Sequence, residues 1–160
     1  MKASKYLAAV AVLVTFAAGA TAAKEDRHAG YYYPIPVSSE VYVAHASELP
    51  DVGRRQRLAF VIGFTLRQQE LPYPPQIAMF AKGDDAQKLI IIGLDDNRMN
   101  TLYRARAVLA MMTATARTTP IFLEFKVEEI FTFLDLCKML GFTQITISDG
   151  KNFAHQILIE

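Results

Sequence analysis

The chain has 160 residues, 52% of them hydrophobic, with 17 lysines and arginines against 16 acids and one cysteine. A net charge this close to zero gives no electrostatic reason to expect nucleic acid or an anionic bilayer as the main partner. The lone Cys137 excludes an internal disulfide, and the length suits one domain with a core large enough to need no covalent staple.

Residues 1–22 have the layout of a secretory leader: Lys2 and Lys5, an uncharged run from Tyr6, then Gly19, Ala20, Thr21 and Ala22. Cleavage after Ala22 is expected, which makes the mature chain soluble, periplasmic and free of the membrane. The alternative is an uncleaved anchor, because the stretch from Tyr6 to Ala23 is uncharged and close to the shortest that spans a bilayer. Losing Lys2 and Lys5 and no acid turns the formal charge of +1 into about −1.

Residues 23–39 show no helical period and read as an extended arm carrying Tyr31, Tyr32 and Tyr33 ahead of Pro34 and Pro36. In an extended chain Tyr31 and Tyr33 point one way and Tyr32 the other. The rings either cover the edge of the core or dock a partner. The single folded domain, 40–160, opens with an alternating strand over 41–46. The apolar, β-branched run 58–65 reads as a strand covered on both faces.

The spacing then predicts strands over 76–82 and 88–94 joined by a five-residue loop of ordinary hairpin length. Helices follow over 99–117 and 127–140. The first has an apolar stripe of Leu102, Ala105, Leu109, Met112 and Ala116; the second ends at Gly141 and Phe142 in the pattern of a left-handed cap. Two last strands, 144–148 and 153–159, need an odd-numbered loop to keep Ile145, Ile147, Ile157 and Ile159 on one face. The expected fold is α+β, with a largely antiparallel sheet of about six strands and two main helices grouped on one face.

Chemical motifs are sparse. No His or Cys spacing suits a metal, no glycine-rich loop suits a phosphate, and no serine sits in a nucleophile elbow, so neither metal nor cofactor is expected. His155 alternates with Phe153, Ile157 and Ile159 and should point inward. The pairs Asp84/Asp85 and Asp95/Asp96 fit turns. Cys137 lies on the apolar face of its helix, where burial keeps a thiol protonated. Arg106 and Arg117 stand about three helical turns apart on one face, where forked donors can hold an anion or simply be solvated.

The segments "DRHAGYYYP", "FAKGDDAQKLIIIGL", "LYRARAVLAMMTATARTTP" and "ISDGKNFAHQILIE" resemble a family of small exported alphaproteobacterial proteins. Its members are often labelled molybdopterin-guanine dinucleotide biosynthesis protein A. That label implies a GTP-using nucleotidyltransferase, and is one alternative for function.

The reading favoured by the residues is an exported binding or assembly module of the cell envelope, its partner an envelope protein or an anionic small molecule. The residues expected to bind are Tyr31, Tyr32, Tyr33, Arg106, Arg117 and His155. Competing expectations are a small enzyme using His155 or His45 with a carboxylate, and a homodimer held by the arm or by Met111, Leu136 and Met139.

Overall fold

The computed structural model describes residues 33–95 and 99–160. The expected leader, most of the arm with Tyr31 and Tyr32, and Asp96 lie outside the described residues.

The chain order is β1 (Ser38–Tyr42), α1 (Arg54–Gln69), β2 (Ile77–Lys82), β3 (Lys88–Gly93), α2 (Leu102–Ala116), α3 (Pro120–Phe125), α4 (Phe133–Met139), β4 (Gln144–Ser148) and β5 (Ala154–Ile159). The strands form one five-stranded sheet in the order β1-β5-β4-β3-β2. Strand pairs β2–β3 and β4–β5 are antiparallel; β1–β5 and β3–β4 are parallel. The fold is α+β as expected, but the sheet is mixed rather than largely antiparallel and, among the described residues, has one strand fewer than expected. Two helical crossovers explain the directions. α1 carries the chain from the β1 edge to the β2 edge, and α2 to α4 return it so that β4 lies parallel to β3.

The missing strand is 58–65, which is helical. Its inward positions are Arg57, Phe60, Val61, Phe64 and Gln68, spaced as one helix face requires. Ile62 and Leu66 are exposed on the opposite side, and these outward apolar residues hide the period in the sequence. The helix starts at Gly53, whose N–H donates to Gln56 Oε1 at 3.1 Å, and Pro72, Pro74 and Pro75 follow its end.

Apolar side chains of alternate strand positions (Met79, Leu89, Ile91, Ile145, Ile147, Ile157) meet Val61, Leu109, Met112, Phe122 and Phe133 of the helices in one core. Full burial of each Leu or Ile contributes roughly 1.5–3 kcal/mol, as an upper estimate. The α2 stripe is buried as predicted at Ala105, Leu109, Met112 and Ala116. Leu136 and Met139, expected on an outer dimer-forming surface, are core residues instead, because α4 begins six positions later than the pattern suggested and presents another face. Pro120 opens the short helix α3, which lies between the two expected helices and ends in left-handed Lys126 (φ 54°), while residues 127–132, expected as helix, are not helical.

Gly141 (φ 72°) caps α4, with Phe142 N–H donating to Cys137 O at 2.9 Å and the Phe142 ring buried behind it. The five residues Asp149 to Phe153 separate the Ser148–Ala154 pair, an odd-numbered loop as parity demanded. A three-residue loop, which parity also allows, would pair Ile147 with Phe153 and Ile145 with His155; the observed register is two residues further on, with Ile145 opposite Ile157. Asp149 Oδ1 accepts from the N–H groups of Lys151, Asn152 and Phe153, which stabilises the wider loop and pairs Ile147 with His155.

Candidate functional site

Among the described residues, three places hold chemistry. The first is where β1 meets β5. The parallel register sets Ser38 opposite His155 and Glu40 opposite Ile157, all on the helix-facing side of the sheet. Ser38 Oγ lies 2.8 Å from His155 Nδ1, Glu40 Oε1 lies 3.3 Å from His155 Nε2, and Arg106 of α2 closes on Glu40 Oε2 at 2.6 Å. His155 is 2% exposed. With a carboxylate facing Nε2, the ring proton belongs there and Nδ1 accepts from the serine hydroxyl. The Nε2 contact is close but not aligned as a hydrogen bond, so the pairing is electrostatic. Burial raises the pKa of Glu40, yet the hydrogen bond and charge of Arg106, with His155, outweigh it and hold the carboxyl below the usual glutamate range.

The second place is Asp135, at the start of α4. It is fully buried, and its carboxylate accepts four hydrogen bonds: from His45 N–H (2.7 Å), Tyr42 O–H (2.9 Å), Thr132 N–H (2.7 Å) and Thr132 O–H (2.9 Å). Thr132 in turn caps the helix through Leu134 and Asp135 N–H, a capping box that ties α4 to β1. Desolvation raises the Asp135 pKa, and the donors more than reverse it. The His45 ring is mostly exposed, 3.5 Å from the same carboxylate. Composition and periodicity do not single out Asp135; the Thr132-x-x-Asp135 spacing is the signal that marks it.

The third is a groove of about 550 Å³ between α1, the C-terminal half of α2 and the segment entering β2. Phe60, Gly63, Phe64 and Arg67 line it from α1, and Met111, Met112 and Thr115 line it from α2. Gly63 is its most informative residue. It sits inside a helix with no positive φ, and a Cβ added there meets nothing within 4 Å. A glycine within a helix costs about 0.5–1 kcal/mol relative to alanine, and no packing requirement explains this one. It is exposed on the groove wall, so a bulky side chain there would project into open space beside the other lining residues.

Comparison with protein-family models, curated proteins and solved structures returns no match. The sequence-predicted binding residues are therefore placed by geometry alone. Arg106 and His155 are brought together, through Glu40. Arg117 is at the α2 C-cap, exposed, between groove-lining Ala116 and Thr118, with no ion pair to any described residue. The two arginines thus serve different places. Tyr33 is half-buried at the start of the described chain, while Tyr31 and Tyr32 lie outside the described residues. Cys137 is fully buried beside Asp135, and burial pushes its thiol well above the usual range. Among the described residues no helix is long and apolar enough to cross a membrane.

Proposed function

We propose that this chain is a binding module of the cell envelope that holds a small, largely apolar molecule in the groove between α1 and α2. The observation that carries the reading is the groove itself, a volume of ordinary ligand size lined mainly by apolar side chains, on whose wall Gly63 places no side chain. The apolar lining is a poor cradle for a nucleoside triphosphate, which needs several cations and backbone donors. Export rests on the leader pattern of residues 1–22, and a periplasmic protein fits a role in capturing molecules that cross the envelope.

Native mass spectrometry of the protein recovered from its own host's envelope tests the reading. The expected result is a chain beginning near Ala23 that carries extra small-molecule mass, and loses it in Gly63→Leu. A bare chain under the gentlest conditions, unchanged by that substitution, sinks the binding reading; a chain beginning at Met1 in the cytosol sinks export.

A second reading, a small enzyme acting through His155, is favoured by the hydroxyl–imidazole–carboxylate line of Ser38, His155 and Glu40. The serine meets Nδ1 and the carboxylate Nε2, Arg106 neutralises the carboxylate, and none of the four residues lines the groove. The set is better suited to fastening the edge strand. A fluorophosphonate probe that labelled the wild type but not Ser38→Ala would establish the enzyme instead.

A further inference from the structure

Provided that the groove is a binding site, as proposed, its lining also specifies the chemical class of the ligand. Arg67 is the one charged side chain among the described residues that line the groove, and it makes no ion pair with any described residue. The opposing effect is the helix dipole, because both α1 and α2 end at the groove. A helix C-terminus carries about −0.5 charge, felt only around its last turn, whereas a guanidinium carries a full positive charge. Arg67 in the last turn of α1 and Arg117 at the end of α2 offset those half charges and the Glu70 carboxylate at the α1 C-cap, and of these charged side chains only Arg67 lines the groove.

The neutral polar groups restrict where an anionic head can sit. The hydroxyls of Thr115, Thr118 and Thr119 donate to the carbonyls of Met111, Thr115 and Ala116, and Gln68 Nε2 donates to Ile77 O. Those hydroxyls are left as acceptors, which repel an anion. Tyr73 and Gln76 add neutral donors to the lining, and the charged seat for an anionic head is Arg67, whose forked donors match a carboxylate. A volume of about 550 Å³ suits a small molecule.

We infer that the groove takes an apolar carboxylate, its hydrocarbon against Phe60, Phe64 and Met112 and its head on the Arg67 guanidinium. Decanoate and its neutral counterpart decanol, titrated calorimetrically into the full chain near neutral pH, provide the test. Decanoate is expected to bind about fivefold tighter, the strength of a partly exposed ion pair. Arg67→Gln removes that preference, Arg67→Lys retains part of it, and Gly63→Leu weakens both compounds.

Equal affinities, both abolished by Gly63→Leu, overturn the carboxylate assignment and leave the binding reading intact. No binding of either compound, or binding indifferent to Gly63→Leu, overturns both. A dimer that Gly63→Leu dissociates replaces the small molecule with a second copy of the chain. Circular dichroism checks that the variants fold. If Gly63→Leu does not, Ala59→Leu, at an exposed position lining the same groove, takes its place.

Discussion

Arg106 and Glu40, 66 positions apart in sequence, meet with Nη2 2.6 Å from Oε2 and fasten edge strand β1 to the helix layer. The contact keeps Glu40 more acidic than an ordinary glutamate. A carboxyl whose folded pKa lies below its unfolded value stabilises the fold above the unfolded value, and loses that contribution as pH falls through the folded one. The melting temperature should therefore drop on acidification through and below the ordinary glutamate range, and Glu40→Gln should reduce that slope. Melting curves at a series of pH values check this; identical slopes would refute it. Near neutral pH the partly exposed pair is worth at most about 1 kcal/mol.

Asp135→Ala strands two backbone N–H groups and two hydroxyls that it now satisfies. A loss of about 3 kcal/mol in urea unfolding is expected, against about 1–2 kcal/mol for Thr132→Ala, which removes the cap and one of the four bonds to Asp135. Comparable losses for the two would show that Asp135 is not the hub.

Gly63→Ala should stabilise the protein by about 0.5–1 kcal/mol, since it improves helix propensity and meets no neighbour. Denaturant titration reads the sign directly. A destabilised variant would mean that the glycine answers a packing need, and the argument from an open groove would weaken.

Gly141 presents the opposite situation. Its φ is 72°, and an added Cβ would collide with the Arg57 guanidinium and the Glu48 carboxylate. Gly141→Ala should cost about 1–3 kcal/mol in the same titration, because the left-handed backbone and the crowding act together. Arg57 is itself buried, donating to Asp85 O and Gly141 O, so the collision cannot be relieved by swinging it into solvent.

Cys137 should resist thiol reagents in the folded protein and react fully in denaturant, since it is inaccessible and its thiol is pushed towards the protonated form. Labelling of the native protein at mildly alkaline pH, at a rate near that of a free thiol, would contradict the burial.

Some of this is legible in the sequence, and the rest is hidden for physical reasons. The β2–β3 hairpin, the α2 stripe, the α4 cap and the inward aim of His155 all depend on local periodicity or turn chemistry, and they are readable. α1 is not, because Ile62 and Leu66 are apolar residues facing solvent, and they turn an amphipathic helix into a nearly continuous apolar run. α3 is not among the expected elements, and the non-helical stretch 127–132 is hidden because Glu128 and Glu129 suit the first turn of a helix. Strand directions are set by long crossovers, which leave no local trace. Of the site residues, Arg106 and His155 stand out, but Glu40 and Ser38, which complete their cluster, are ordinary residues of an edge strand. The groove, including Arg67 and Gly63, exists only once α1 is a helix.

The first strand of the sheet pairs with its last. Ser38 and His155 touch across 117 positions, and the final β1–β5 partners are Tyr42 and Ile159. No amount of chain short of β5 can complete this sheet. As synthesis proceeds, β1 has no neighbour to join, and the Glu40 fastening has no histidine to face. Closing so long a loop is slow relative to forming the local hairpin and helices. Completion of the architecture is thus postponed until β5 is made, and until then the nascent polypeptide stays open, threadable and within reach of holding factors.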